Sequence, residues 1–251
     1  MIGAGGRPGK WSVWKFNWLA NHKIIRALEA VREHATGVLL DVGCGTKAFA
    51  PVLMGGAGGG ATAPPTRPGP AGVTRYLGID LPDSRFVNRG PRDRGPDVHG
   101  RGEALPFRDA SFDTVLGLSM LTYFPQPAAL LAEAHRVLKP GGVLILEFTQ
   151  MAPLHDEPHD YFRFTRYGAT WLLQRAGFEP VRLIPVGGLW ARVGLSMIAA
   201  LNRVNRGPTR ILTEIPVRVL YIGLQILFEL MDRVLFSPRE VLAHLVVAKR
   251  R

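Results

Sequence analysis

A short apolar strand that runs directly into a glycine turn constrains this chain more than any other feature. Residues 38–46 read Val-Leu-Leu-Asp-Val-Gly-Cys-Gly-Thr. The apolar run predicts a buried strand over 38–42. Gly43 and Gly45 predict a turn in which the main chain approaches a ligand closely, because glycine has no Cβ and adopts backbone angles that other residues avoid. A helix over 47–54 would complete the β-α unit that opens many nucleotide-binding folds.

The glycine turn alone leaves two interpretations open. Gly43, Gly45 and Ala48 have the spacing of a dinucleotide-binding fingerprint, which places a pyrophosphate at the start of the helix. Asp41 argues against that ligand, since a carboxylate at the end of the strand repels pyrophosphate and attracts a cationic amino group. Motifs further along the chain decide between the two.

Four further blocks follow in order. They are Gly-Ile-Asp at 78–80, Glu-Ala-Leu-Pro-Phe at 103–107, Ser-Phe-Asp at 111–113 and Arg-Val-Leu-Lys-Pro-Gly-Gly at 136–142. With the glycine turn they resemble the class I S-adenosylmethionine-dependent methyltransferases, in particular a large bacterial group with LPF, SFD and LKPGG motifs, over residues 37–183. The resemblance implies a Rossmann-like α/β fold. Its sheet is mostly parallel, with seven strands of which the last is antiparallel, helices on both faces and a helical insertion before the last strand.

The resemblance also implies a cofactor, S-adenosyl-L-methionine, and the residues that bind it. Asp41 would face the amino group of the cofactor, and Asp80 would accept hydrogen bonds from both ribose hydroxyls. The expected cofactor-binding residues are Asp41, Gly43, Cys44, Gly45, Asp80, Leu81, Gly102, Glu103, Ala104, Leu118 and Ser119. Relatives usually carry an acidic residue two before Glu103, which receives the adenine amino group. This chain has Arg101 there, so a backbone carbonyl or Glu103 is expected to replace that contact.

A second informative segment, residues 153–165, follows the predicted fifth strand and therefore lies over the ligand edge of the sheet. It resembles a segment of a subset of these methyltransferases that are encoded beside glycan-assembly enzymes, and we expect it to line the acceptor pocket. A general base within reach assists transfer to a hydroxyl acceptor. The expected catalytic residues are His155, His159, Asp160 and Tyr161. The two histidines also have metal-ligand spacing, but Pro158 lies between them, so no metal is expected.

The loop after the predicted fourth strand departs from the resemblance. Many relatives have Glu-His there, whereas this chain has Thr122 and Tyr123, so a proton-transfer role of that histidine does not carry over. Tyr123 is a weaker candidate for the base. An ordinary salt-bridged turn remains the alternative interpretation of residues 153–165.

The chain is predicted to divide into a methyltransferase core with additions at both ends. The parts are an N-terminal aromatic segment and helix (1–36), the core (37–184, with a flexible Gly/Pro insertion at 55–72), a helical insertion or cap (185–240) and the final core strand (241–251). Trp11, Trp14, Phe16 and Trp18 precede the first helix, predicted over 19–34. That helix is expected to pack beside the cofactor cleft, and an interfacial membrane position is the alternative.

A helix predicted over 216–236 is apolar around most of its circumference. Its polar residues form one narrow stripe of Glu214, Arg218, Tyr221, Gln225, Glu229 and Asp232. Such a helix must bury its apolar surface against something. Three partners stay open: the protein's own core, a twin subunit in a homodimer, or a membrane surface contacted peripherally through residues 185–236.

The net charge limits which partners are expected, and the cysteine content indicates the cellular compartment. The 251 residues carry a net charge of +11, but the arginines are scattered and form no dense basic run, so a nucleic-acid partner is disfavoured. Cys44 is the one cysteine of the chain, which excludes disulfides and favours the reducing cytoplasm. Residues 1–7 contain no apolar segment typical of a signal peptide.

These features predict a cytoplasmic, possibly membrane-associated methyltransferase that acts on a small-molecule or lipid-linked glycan acceptor, at oxygen. Two alternatives remain. One is an RNA methyltransferase, motivated by the charge. The other is a membrane-associated binding protein of the same fold without turnover, motivated by Arg101 and the missing histidine.

Overall fold

The structure, a computed structural model, describes residues 17–54, 72–82, 95–205 and 210–251. The helices are α1 (Trp18–Glu29), α2 (Ala50–Met54), α3 (Pro127–Val137), α4 (Arg166–Arg175), α5 (Leu189–Val204) and α6 (Arg210–Val234). The strands are β1 (Gly37–Val42), β2 (Val73–Asp80), β3 (Val98–His99), β4 (Phe112–Gly117), β5 (Leu138–Thr149), β6 (Phe178–Val186) and β7 (Ala243–Arg250). Trp11, Trp14 and Phe16, and the predicted insertion up to residue 71, lie outside the described residues.

The seven strands form one sheet in the order β3-β2-β1-β4-β5-β7-β6. Strands β1 to β5 pair in parallel, and β7 is antiparallel to both β5 and β6. The predicted fold class is thereby confirmed. Because the strand order reverses between β1 and β4, the crevice outside the carboxyl ends of these strands is where an open α/β sheet binds its ligand.

Alternation along β1 explains how the sheet acquires a core on each face. Leu39 belongs to the cluster that contains Leu28 of α1 and Leu53 of α2. Leu40 belongs to the opposite cluster, with Leu131 of α3 and Leu173 of α4. Successive side chains of a strand point to opposite faces, so a strand buried on both faces needs a continuous apolar run.

Several element boundaries differ from the prediction for local reasons. Helix α2 begins at Ala50, three residues late, because Lys47 adopts a left-handed φ of 52° that extends the glycine turn. Helix α6 begins at Arg210 and continues through Pro216, which had been expected to start it. Strand β5 already begins at Leu138 and includes the Lys-Pro-Gly-Gly segment, with a register shift against β4. The short strand β3 was not predicted.

The helical addition joins β6 to β7 and consists of α5 and α6, which pack against each other and against α1. Strand β6 is antiparallel to β7 and so points in the same direction as β5. The addition therefore leaves the sheet from the ligand edge. Among the helices of the described residues, none is long and apolar enough to cross a membrane.

Candidate active site

The glycine turn is fastened to the end of β2. Gly43 and Gly45 have positive φ angles of 72° and 52°, and the Gly43 N–H donates to the Ile79 carbonyl at 2.9 Å. The Gly45 N–H donates to Asp80 Oδ2 at 2.7 Å, while the Leu81 N–H donates to Asp80 Oδ1 at 2.8 Å. A carboxylate oxygen accepts more than one hydrogen bond. Asp80 thus holds the turn in place and retains acceptor capacity for hydroxyl groups of a ligand.

Asp41 lies at the end of β1, beside this turn, and is 4% exposed. Tyr76 Oη donates a hydrogen bond of 2.5 Å to its Oδ2. Burial raises the pKa of Asp41 to about 7, although the Tyr76 hydrogen bond favours the ionised form. A cationic group placed beside Asp41 would favour the carboxylate in the same way. The site is therefore suited to an ammonium-bearing ligand.

The sequence interpretation missed an ion pair beneath the turn. Lys47 Nζ lies 2.7 Å from Asp97 Oδ1, and Asp97 Oδ2 accepts the Gly78 N–H at 2.7 Å. The lysine side chain is 4% exposed and crosses β2 at Gly78, where a Cβ would lie 2.7 Å from Lys47 Cε and 2.6 Å from Cys44 Sγ. Lys47 itself was a visible signal in the sequence, because a lysine inside a glycine turn is unusual. Nothing in the sequence pointed to its partner, Asp97, which lies fifty positions later.

Among the residues that the structure describes at this end of the sheet, the charges do not cancel. Asp41, Asp80 and Asp97 oppose the ammonium of Lys47, and burial together with Asp41 and Asp80 holds the pKa of the Cys44 thiol well above its ordinary value. The thiol is therefore neutral and acts as a small buried spacer. The excess of carboxylates attracts a positively charged ligand.

The residues predicted near adenine form a tight turn after β3. Arg101 and Ala104 make an antiparallel bridge, and Gly102 is buried so that a Cβ would lie 2.8 Å from Leu130 Cδ1. Arg101 is 68% exposed, whereas the Glu103 side chain is 18% exposed and lies 3.7 Å from the guanidinium. The carboxylate of Glu103 is thus the less exposed of the two side chains. Its contact with adenine stays a prediction.

At the end of β4, Leu118 is buried and Ser119 has a φ of 54°. Ser119 Oγ donates to Glu147 Oε2 at 2.6 Å. Glu147, in β5, is 1% exposed, and burial raises its pKa to about 7. The sequence interpretation missed Glu147, although one carboxylate within the apolar run of β5 was a signal, since charged groups are rarely buried without a reason.

Asp160 organises the loop that follows β5. Its side chain is 1% exposed and accepts hydrogen bonds from the Arg163 guanidinium at 2.5 and 2.7 Å and from the His155 N–H at 3.0 Å. Hydrogen bonds from Arg163 lower the pKa of Asp160 to about 2. The carboxylate therefore remains ionised at neutral pH and is a poor proton acceptor there. Arg163 also donates to the Pro153 carbonyl at 3.1 Å, which fixes the loop backbone.

His155 joins this loop to the loop after β4. Its Nε2 lies 2.8 Å from Tyr123 Oη, and its Nδ1 lies 2.8 Å from the Pro153 carbonyl oxygen. A carbonyl can only accept, so the bond to Pro153 assigns the proton of the neutral ring to Nδ1. Nε2 is then the acceptor for the Tyr123 hydroxyl. Tyr123 and His155 form a dyad in which a basic nitrogen faces a phenol.

His159 and Tyr161 lie near the surface and contact each other. His159 is exposed, Tyr161 is 45% exposed, and His159 Nδ1 lies 3.3 Å from Tyr161 Oη. The Tyr161 and Phe162 N–H groups both donate to the Thr122 carbonyl, so the two loops are joined by backbone bonds as well. In the described part of the chain no group of three or more metal-ligating side chains occurs.

Part of this chain is similar to a known protein family. Residues 53–146, which are less than half of the chain, match the family model described as a methyltransferase domain. A Mycobacterium avium (strain 104) protein named only as an uncharacterized methyltransferase is 36% identical over 121 residues, which is 47% of this chain and 42% of that protein. This chain thus spans less than half the length of that relative.

Solved structures agree on the fold. A S-adenosylmethionine-dependent methyltransferase of Thermotoga maritima superposes with a TM-score of 0.56 at 16% identity, covering 94% of this chain and 92% of that one. Phosphoethanolamine N-methyltransferase 2 of Haemonchus contortus, in complex with S-adenosyl-L-methionine, superposes with a TM-score of 0.54 at 15% identity, covering 95% and 56%. At these identities the likeness shows the architecture of the sheet and its helices.

Two observations at the glycine turn fit S-adenosyl-L-methionine, the ligand of the Haemonchus contortus structure. Asp80 keeps acceptor capacity at the end of β2, where hydroxyl groups can be held. The buried Asp41, with its raised pKa, gains from a nearby ammonium group. The expected cofactor-binding residues 41–45 and 80–81 lie together around the turn, and 102–104 and 118–119 lie at the ends of β3 and β4 on the same sheet edge.

Proposed function

We propose that this protein transfers the methyl group of S-adenosyl-L-methionine to a hydroxyl oxygen of a small-molecule or lipid-linked glycan acceptor. The observation that carries the proposal is the Tyr123–His155 dyad, which stands at the same sheet edge as the acidic glycine turn. A hydroxyl acceptor must lose a proton during transfer, and the dyad supplies a basic nitrogen for it. Residues 53–146, which include Tyr123 of the dyad, match a methyltransferase domain.

At the end of the site that binds the donor, the protein provides acidic side chains and the glycine turn. Asp80 and the glycine turn hold the ribose, and Asp41 holds the amino group. When bound, the cofactor supplies a methyl group on a positively charged sulfur that is displaced in line. The chain's own contribution is alignment and exclusion of water, and positioning of this kind supplies roughly 7–11 kcal/mol of the barrier in well-oriented reactions.

At the acceptor end, the proton moves along the dyad. His155 Nε2 takes the proton of Tyr123 Oη while Tyr123 Oη takes the proton of the acceptor hydroxyl. The oxygen that loses its proton forms the new bond to carbon. Asp160 and Arg163 act as positioning residues, because they fix the backbone of His155 and the carbonyl of Pro153 that selects its tautomer. Among the predicted catalytic residues, His155 is thus our candidate base.

Donor binding gives the first test. In calorimetric titrations with the donor and its demethylated product, we expect micromolar affinity for the parent and a loss of at least about tenfold for Asp41→Ala, since a charge-assisted hydrogen bond is removed. Affinity should also rise about tenfold between pH 6 and pH 8, because Asp41 ionises with a pKa of about 7 and its ionised form binds the amino group.

The matched control is Asp109→Ala, which removes an exposed carboxylate paired with Arg136 on the surface. It should leave the affinity for the donor within about twofold of the parent. A parent that binds neither the donor nor its product would overturn the proposed function. Equal affinity of the parent and Asp41→Ala would remove Asp41 from the donor site.

The dyad gives the second test. Tyr123→Phe and His155→Gln should each lower methyl transfer by about 10²–10⁴-fold, the range typical of general acid–base catalysis, with donor affinity unchanged. The measurement is incorporation of labelled methyl into extracts that contain lipid-linked glycans. Tyr167→Phe, which alters an exposed phenol on α4, is the control. Tight donor binding with no labelled acceptor in any extract would instead favour a binding protein without turnover.

A further inference from the structure

Helix α6 is oriented with the C-terminal four residues of its polar stripe inward, whereas Arg218 in the N-terminal part of the stripe is half exposed. The side chains of Tyr221, Gln225, Glu229 and Asp232 are buried. Lys23 of α1 places its Nζ 2.8 Å from both Glu229 Oε2 and Asp232 Oδ2. The polar stripe is therefore the surface by which α6 docks on the rest of the protein.

Two further contacts fix this orientation. Gln225 Oε1 accepts the Leu19 N–H at 3.2 Å, at the start of α1. Asp232 accepts the N–H groups of Gly188 and Ala191 at 3.0 and 3.2 Å, which satisfies the first turn of α5. Each contact ends on a buried polar group of α6, and such groups are costly to leave unpaired. Rotation of α6 about its axis would break all of them.

The opposite face of α6 is apolar and solvent-exposed. Ile215, Val219, Ile226, Leu230 and Val234 follow one another at spacings of four and seven, with Gly223 between them open to solvent. Their exposed fractions run from 47% to 80%. At 1.5 Å per residue the rise from Ile215 to Val234 is about 29 Å. Monomeric proteins rarely expose a continuous apolar patch of such length without a partner.

The charges around this face distinguish between partners. Arg192 and Arg203 of α5 are exposed. Arg218 and Arg233 of α6, whose side chains are 50% and 51% exposed, pair with Glu214 and Glu229. Glu229 and Asp232 also face Lys23 of α1. The exposed surface of α5 and α6 therefore combines the apolar face of α6 with arginines. That combination is typical of a helix lying in the interface of an anionic lipid bilayer.

We propose that the outward face of α6, together with the exposed arginines of α5 and α6, binds the surface of an anionic membrane. A second copy of this chain fits less well, because both copies carry a net charge of +11 and so repel one another. Since α5 and α6 leave the sheet from the ligand edge, docking holds that edge near the headgroups, where a lipid-linked acceptor is presented. The docking itself does not depend on methyl transfer, so its failure would leave the proposed activity standing.

The test is co-sedimentation with vesicles of phosphatidylglycerol and phosphatidylcholine in equal parts, compared with phosphatidylcholine alone. We expect the parent to bind the anionic vesicles at least about tenfold more tightly, and high salt to weaken that binding. The double variant Ile226→Ser/Leu230→Ser should lose at least about tenfold of the affinity for anionic vesicles. Trp171→Ser, which removes a side chain on α4 that is 57% exposed, should bind as the parent does.

Thermal unfolding of each variant separates folding from binding, because both substituted positions of the double variant are exposed. Three results would overturn the proposal. One is a parent that does not bind anionic vesicles. Another is a double variant that unfolds like the parent and binds equally well. The last is a parent that sediments as a dimer without affinity for vesicles while the double variant is a monomer, which would assign this face to a second copy.

Discussion

Replacing Asp160 with alanine is expected to lower methyl transfer by at least about 100-fold and to leave the affinity for the donor within about twofold of the parent. The carboxylate is 1% exposed and accepts hydrogen bonds from the two terminal nitrogens of Arg163 and from the His155 N–H. Its removal leaves a partly buried guanidinium without its ion-pair partner. Breaking a buried pair from one side costs about 3 kcal/mol or more, which corresponds to a factor of about 100.

The loss should appear in the transfer rate because the loop positions His155 and does not belong to the glycine turn. Asp160→Asn is the informative companion, since it keeps the shape and one acceptor oxygen and removes the charge that holds Arg163. We expect an intermediate rate for it. Titration calorimetry of the donor and labelled-methyl assays measure the two quantities separately. A large drop in donor affinity would place the loop over the donor, and an unchanged rate would remove it from the acceptor site.

Replacing Glu147 with glutamine is expected to raise the free energy of unfolding at pH 8 by about 3 kcal/mol. Burial raises the pKa of Glu147 to about 7, from 4.5 in the unfolded chain. Between these two values the folded protein holds a proton that the unfolded chain has released. Rising pH therefore favours unfolding, so this stability is present below about pH 4.5 and is lost as pH rises through about 7. A glutamine keeps an oxygen for the Ser119 hydroxyl and has no charge to bury.

Urea unfolding at intervals between pH 5 and pH 8 measures this effect. The free energy of unfolding of Glu147→Gln minus that of the parent should grow between pH 5 and about pH 7 and then level off. Asp41 and His244, whose pKa values are raised to about 7 and lowered to about 4, act in opposite senses and contribute equally to both proteins. Glu179→Gln, at an exposed carboxylate, should keep the slope of the parent. If Glu147→Gln kept that slope as well, Glu147 would not be the buried acid responsible.

Local patterns were sufficient for most of the fold. The apolar run before Gly43 predicted β1, and Gly43 and Gly45 form the predicted turn with positive φ angles. Thr165 caps α4, since its side chain accepts the Gly168 N–H. Features of this kind can be predicted because strand alternation, glycine turns and helix caps are determined by residues within a few positions of one another.

The candidate site was only partly accessible to the same reasoning. The ends of parallel strands meet at one edge, so the positions of Asp41, Asp80 and the loop after β5 followed from their order along the chain. The roles of the individual residues within that loop did not follow from the sequence. His155, His159, Asp160 and Tyr161 were equivalent candidates, and the structure distinguishes them by contact: Asp160 is held by Arg163, and His155 faces Tyr123 from the neighbouring loop.

The sequence by itself determined the strand–glycine-turn unit, the order of the strands' ligand ends and the existence of an apolar helix with one polar stripe. Only the tertiary structure decided which side of that helix faces the protein. Its buried partners, Leu19 and Lys23, lie more than 200 positions away from Gln225, Glu229 and Asp232. A polar stripe is buried when distant groups satisfy its charges and hydrogen bonds, and spacing within the helix carries no information about those groups.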